Sequence, residues 1–245
     1  MSENKIDADK CSPLGILRYK GKEANLTNLA MLCSTLPPDE WEVEIKRWLK
    51  AIVTNDESVP KDTPLKISDL TLQLYPAGYF GGTNEQRKYS VREDIPAILT
   101  TVVINQPDRL IVATNQYLKE CAVQVDKTFA ILIERLKKDT PYPVDFITLA
   151  GSSETLVAVI HGEDITTASH ALVLSVLYPQ LVGEQGALVG IPQRHLLVVK
   201  RLDSKPPKEL TGAFGTLIRS MGSGQAGFIS DQAYSFNEGI FRVAH

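Results

Sequence analysis

The sequence predicts an α+β fold: a mixed, mainly antiparallel sheet with helices packed on one face, preceded by a short N-terminal helical segment. Three observations lead there. From Leu65 onward, short runs rich in valine, isoleucine and leucine dominate the chain. Several neighbouring runs are separated by only a few turn residues, which forces antiparallel pairing, whereas helical insertions between others permit parallel pairing. Within Thr155–Asp203 an apolar strand, a polar turn, an amphipathic helix and a strand-rich return follow in succession, and this stretch holds three of the four histidines.

Residues 1–13 read as a disordered tail, 14–64 as a helical segment and 65–245 as the α+β domain, continuous with that segment. Thr27 is placed to cap a short helix over Asn28–Ser34, and Pro37-Pro38 stops it. A second helix starts near Pro38. Its residues Trp41, Ile45, Trp48, Leu49 and Ile52 fall on one helical face. That face needs a partner surface, so the segment is expected to pack on the remainder. Thr54–Pro64, polar and holding two prolines, reads as the linker.

Leu70–Tyr75 reads as a strand, followed by a glycine-rich loop over Pro76–Asn84. Strands are expected at Leu99–Ile104 and Arg109–Thr114 around the turn Asn105–Asp108. Asn115–Cys121 makes a short helix. A longer one begins at Val125, is capped by Asp126 and buries Phe129, Leu132, Ile133 and Leu136. Asp145–Leu149 and Leu156–Ile160 are strands, then come an amphipathic helix over 165–182 and strands at Ala187–Ile191 and His195–Leu202. A helix over Pro207–Met221 and a hairpin over Ser230–Val243 close the chain. The hairpin turns at Asn237-Glu238-Gly239, where glycine suits the left-handed region.

Bulk properties exclude several classes. The chain has 245 residues, 43% apolar and 22% charged, with 26 basic against 29 acidic side chains and a net charge of −3. It lacks the basic footprint of a general nucleic-acid binder, so no nucleic-acid partner is expected. No run approaches the ~18 apolar residues of a membrane span, and Met1–Lys10 has no apolar leader core. Cys11, Cys33 and Cys121 are odd in number and far apart, which fits neither a disulfide framework nor a metal knuckle. A reducing, cytoplasmic setting follows, and no cofactor is implied.

Candidate chemistry gathers at two places. His161, Asp164 and His170, with His195 downstream, supply imidazole and carboxylate groups that ligate zinc or iron, so a metal-dependent hydrolase is the enzymatic alternative. Their spacing matches neither HExxH nor HxH, and Asp164 suits a helix N-cap equally well. The corner Ile191–His195 presents Gln193, Arg194 and His195 together, and arginine forks onto carboxylate or phosphate. With Tyr79 and Phe80 in the glycine-rich loop, these are the candidate partner- or ligand-binding residues.

Other patterns are weaker. Gly222–Gly227 spells GxGxxG but follows a helix and leads into a strand, the reverse of a dinucleotide turn. Ser152 and Ser153 lack a nucleophile elbow. The carboxylate pairs Glu93-Asp94 and Glu163-Asp164 are adjacent in sequence, so neither brackets a glycosidic bond.

Several phrases, in order, resemble a family of bacterial, mainly actinobacterial proteins loosely similar to the YtpQ-type proteins of firmicutes. They are Asn28-Leu29-Ala30, Cys33, Pro38–Trp41, Leu72–Pro76, Arg109–Thr114, Gly162–Asp164, Ala168–Leu172, Pro192–Leu196, Ser230-Asp231, Tyr234 and Gly239. The resemblance spans roughly Asn25 to the C-terminus and implies no assigned reaction. Together the residues lead to a cytoplasmic, non-enzymatic interaction or accessory protein with a protein partner.

Overall fold

The computed structural model describes residues 16–19, 22–26, 29, 33, 36–54, 66–80, 86–106, 109–149, 155–162, 166–222 and 227–244. The chain divides into two compact units, Met1–Thr63 and Pro64–His245. The division falls within the expected linker, whose residues 55–65 lie outside the described ones, as do the tail and most of the expected helix at 28–34.

In the first unit, β1 (Ile16–Tyr19) and β2 (Lys22–Asn25) form an antiparallel hairpin where only helix was expected. Residues Ile16-Leu17-Arg18-Tyr19 do carry strand-forming types, but the run is too short to display a period. Helix α1 (Trp41–Thr54) follows a 3-10 turn at Pro38–Glu40, where proline sits at a position whose N–H would have no helical partner. Glu42 and Glu44 complement the positive end of its dipole, and Lys46 donates to Glu42 at 2.5 Å one turn on. The Trp41 indole donates to the Leu36 carbonyl at 3.0 Å.

The second unit contains two sheets, and every strand pairing among the described residues is antiparallel. In the smaller sheet β5 (Ile98–Gln106) is central. Strand β3 (Leu70–Pro76) pairs along one side of it, while β4 (Val91–Ile95) and β6 (Arg109–Val112) share the other. The sequence reading passed over β4 because its centre is Arg-Glu-Asp. Those three side chains are exposed on a strand at the sheet margin, where solvent accepts them.

The larger sheet has the order β12-β11-β9-β10-β8-β7, built from β7 (Val144–Thr148), β8 (Leu156–His161), β9 (Ala187–Gln193), β10 (Leu196–Arg201), β11 (Ala233–Asn237) and β12 (Ile240–Val243). At the β11–β12 turn Glu238 and Gly239 take φ of 49° and 80°, so the glycine stands in the left-handed region as expected.

Helix α2 (Asn115–Glu120) is capped by Thr114, whose hydroxyl accepts the Tyr117 N–H at 3.1 Å. Helix α3 (Val125–Leu136) begins one residue before Asp126, so Gln124 flanks it and Asp126 is not its cap. The expected helix over 165–182 is corrected: it comprises a 3-10 segment (Thr167–Val173), a single α turn, α4 (Leu174–Leu177), and a second 3-10 turn (Pro179–Leu181). The cause is burial on nearly all sides. Ser169 donates to the Leu72 carbonyl at 2.9 Å and the Ala168 N–H to Arg194 at 2.9 Å, so polar groups here serve neighbouring strands and not a regular helix.

Helix α5 (Lys208–Gly222) covers one face of the larger sheet, packing Phe214 and Ile218 on Val157, Leu188 and Val198. Gly190 permits this approach, since a Cβ there would lie 2.1 Å from Ile218 Cδ1. The other face, through Ile160, Val189, Ile191 and Leu197, shares a core with Ala171, Leu174 and Tyr178 and with Leu74, Ile95 and Ile98 of the smaller sheet. From the turn between β9 and β10, Arg194 reaches Tyr75 of the smaller sheet.

Candidate functional site

The β9–β10 turn is tied to four chain segments. Gln193 donates from Nε2 to the Met221 carbonyl at 2.6 Å. The Arg194 N–H donates to Gly227 at 3.1 Å, and the Arg194 and His195 carbonyls accept the N–H groups of Ala168 and Gly162 at 2.9 and 3.3 Å. Of the GxGxxG stretch, Gly222 ends α5 and Gly227, at φ 78°, precedes the bridge of Phe228 to Gln193, while residues 223–226 lie outside the described ones.

Arg194 is only 4% exposed, and its guanidinium carbon stands 4.6 Å from the Tyr75 ring centroid and 5.6 Å from that of Tyr79. Tyr75 and Tyr79 lie 4.3 Å apart between centroids. Phe80 adds contacts to Tyr79 at 5.0 Å and to Tyr89 at 4.8 Å. The Tyr75 hydroxyl donates to Gln73 Oε1 at 2.5 Å. Burial pushes the Tyr75 phenol above its ordinary range, and the nearby Arg194 charge opposes that shift. Thus two candidate groups far apart in sequence, Tyr79-Phe80 and Gln193–His195, meet across the two sheets. Phe80 and Arg194 are buried, while Tyr79 and Gln193 are half-buried. The arrangement braces the smaller sheet against the larger one.

The histidines separate into two sites. His161, exposed at the end of β8, meets half-buried His195 edge to face, with centroids 5.4 Å apart and planes at 88°. Burial, and then the neighbouring His161, hold the His195 imidazole below its ordinary pKa; its Nδ1 is buried without a hydrogen-bond partner among the described residues. His170 belongs elsewhere. It is 2% exposed, stacks on Tyr142 at 4.8 Å and places Nδ1 3.0 Å from the Tyr178 hydroxyl. That hydroxyl also accepts the Tyr142 N–H at 2.9 Å. Nε2 lies 3.8 Å from Asp139 Oδ2. Asp164 lies outside the described residues, and among those described no three His, Cys, Asp or Glu side chains are grouped to hold a metal ion.

Asp139 also lines a cleft of about 130 Å³ with Ser68, Thr71, Asn105, Arg135 and Thr166. That space holds only a handful of water-sized groups. Arg135 is committed to the carbonyls of Ile67, Ser68 and Leu70. Sequence reasoning missed Asp139, Tyr142 and Tyr178, the partners of His170, because nothing in the chain's local pattern brings the connection between α3 and β7, which holds the first two, against the buried 167–178 stretch.

It also missed an exposed apolar surface on the larger sheet. At its edge β7, Phe146 is 59% exposed, and Leu156 on β8 is 51% exposed. Phe146 stands opposite Ala158, and Thr148 opposite Leu156, so both apolar side chains share one face. The signal was present in the expected strand Asp145–Leu149, where an aromatic residue follows an aspartate in an otherwise short run.

No protein-family model, curated protein or solved structure matches the chain. Among the described residues no helix is long and apolar enough to cross a membrane. Cys33 and Cys121 are free thiols, the first buried.

Proposed function

We propose that the protein is a cytoplasmic, non-enzymatic interaction or accessory protein that takes up an extended segment of a partner protein along β7. On the ordered phrases quoted above, we place it beside the YtpQ-type bacterial proteins. The observation that carries the functional reading is the edge of the larger sheet. Strand β7 ends the strand order, with no strand paired to its outer side among the described residues, and it displays Phe146 beside Leu156. Edge strands left open are normally blocked by lysine, proline or a bulge. Here the five-residue strand holds none of the first two, its pairing with β8 is unbroken, and its one charge is Asp145. A segment adding as a further strand would gain backbone hydrogen bonds along β7 and specificity from an apolar side chain seated on Phe146 and Leu156.

The Tyr75–Tyr79–Arg194 brace fits the same reading, because it fixes the two sheets as a rigid support. Selection of linear peptides from a random display library on the purified chain tests it. Selected peptides should alternate apolar and polar residues, and Phe146→Asp should weaken their binding by at least tenfold, as expected for about 1.5–3 kcal/mol of aromatic burial. Peptides without that alternation, or binding unchanged by Phe146→Asp, would refute the proposal.

A further inference from the structure

We infer that β7 of one copy pairs with β7 of a second, antiparallel about a two-fold axis at Phe146, so that the larger sheet runs on across two molecules. The pairing rests on the reading of β7 as an edge that takes up an extended segment, and it names one such segment: β7 itself.

The β7–β8 ladder shows which backbone groups are open. The Leu149 N–H donates to the Thr155 carbonyl at 2.9 Å, so these two residues form a hydrogen-bonded pair. Hydrogen-bonded and non-hydrogen-bonded pairs alternate along an antiparallel ladder, and the register from Thr148–Leu156 to Val144–Ile160 runs without a shift. Ile147 and Asp145 therefore turn their N–H and C=O groups to β8, while Val144, Phe146 and Thr148 turn theirs outward. No strand among the described residues meets that outer side. None of the three is proline, so each offers a donor and an acceptor.

This set of groups is complementary to itself. With Phe146 opposite the second copy's Phe146, Val144 stands opposite Thr148 and Thr148 opposite Val144, and every outward N–H on both copies meets a carbonyl. The axis lies normal to the sheet, so the two Phe146 side chains share a face, with Cα atoms about 5.5 Å apart and Leu156 of each copy flanking them. Both apolar side chains are exposed in the single copy, and the pairing removes them from water. On the other face Asp145 stands opposite Ile147, so no like charges meet. Neighbouring registers do worse. A slip of two residues one way sets Asp145 against the second copy's Asp145 and leaves Thr148 without a partner on β7. The opposite slip sets Phe146 against Thr148 and leaves Val144 without one. One strand pair with this apolar strip buries less than ~1,200 Å², the size of a weak, reversible contact.

Sedimentation velocity of the full chain between about 1 and 300 μM tests the pairing, and should show a reversible monomer–dimer equilibrium with a dissociation constant on the order of 10–100 μM. Thr148→Pro removes an outward donor and leaves the β8 ladder intact, so it should weaken the dimer at least tenfold while shifting the thermal unfolding midpoint by less than about 2 °C. Phe146→Asp and Phe146→Lys should each be monomeric alone, because the axis sets like charges together, and an equimolar mixture of the two should restore the dimer. A chain that stays monomeric throughout, a dimer indifferent to Thr148→Pro, or a mixture that stays monomeric would overturn the inference. Selected peptides separate this failure from failure of the receiving edge. Peptides that bind β7 of a chain monomeric at every concentration remove only the self-pairing; a monomeric chain that selects no such peptide removes both. Where the dimer forms, a selected peptide at saturation should return it to monomer, and a dimer that persists with peptide bound on β7 would overturn the inference by placing the contact elsewhere.

Discussion

Removal of the Arg194 guanidinium tests whether the β9–β10 turn braces the two sheets. Arg194→Met keeps an unbranched apolar stem of similar reach and deletes the planar cation above Tyr75 at 4.6 Å. A cation–π contact desolvated to this degree, with Arg194 only 4% exposed, contributes about 2 kcal/mol. Lost contact with Tyr79, 5.6 Å from the guanidinium carbon, adds about 0.5 kcal/mol. The variant should therefore unfold with a stability lower by about 2–3 kcal/mol. Tyr75→Leu alone loses both the ring contact and the hydrogen bond to Gln73, so a double-mutant cycle is needed to isolate the pair. The coupling energy between Arg194→Met and Tyr75→Leu should be about 1–2 kcal/mol in urea unfolding followed by tyrosine fluorescence. Coupling below about 0.3 kcal/mol, the level at which distant sites simply add, would refute the bracing role.

Three further outcomes follow from the same packing and charge arguments. Gly190→Ala should destabilise the chain by about 1–3 kcal/mol through overlap with Ile218, and Ile218→Val should recover part of that loss; urea melts of both variants check it. His195 has a folded-state pKa below its ordinary 6.5, so the unfolded chain binds protons more readily as pH falls. Its contribution to stability is complete above pH 6.5 and is lost as pH falls through the folded-state value. His195→Gln should accordingly flatten the acid side of a melting-temperature profile between pH 5 and 7, and an unaltered profile would contradict the shift. Finally, Asp139→Asn should leave the fold intact, because Asp139 is half-exposed and lies 3.8 Å from His170, beyond hydrogen-bond range; a melting-temperature loss above about 4 °C would show a stronger ion pair than the geometry supports.

Much of the framework was legible because periodicity and turn chemistry agree locally. Leu70–Pro76, Ile98–Gln106 and the β9–β10 pair are runs of buried apolar residues bounded by turn residues, and they form strands where the pattern put them. Helix α5 is amphipathic and shows it. The stretch 165–182 misled for a tertiary reason. Its apolar residues fit helical spacing, yet Thr167, Ser169 and His170 are buried as well, so the segment exchanges regular α hydrogen bonds for contacts with β3 and the β9–β10 turn. Division of the strands between two sheets was not legible, since it depends on which long-range partners each strand finds.

The site residues followed the same logic. Arg194 and His195 were visible as a polar corner in an apolar region, but their partners Tyr75, Tyr79 and His161 come from strands and turns distant in sequence. His170 was grouped with His161 by proximity along the chain. Tertiary contacts assign it instead to Tyr142, Tyr178 and Asp139.

Backbone amide exchange along β7 tests the central claim most directly, because side-chain variants alone cannot distinguish strand addition from contact with Phe146. With a selected peptide bound at saturation, the outward-facing amides within Val144–Thr148 should exchange at least tenfold more slowly, an effect of about 1.4 kcal/mol or more. Unchanged exchange along β7 with the peptide bound, or protection confined to another strand, would contradict the account.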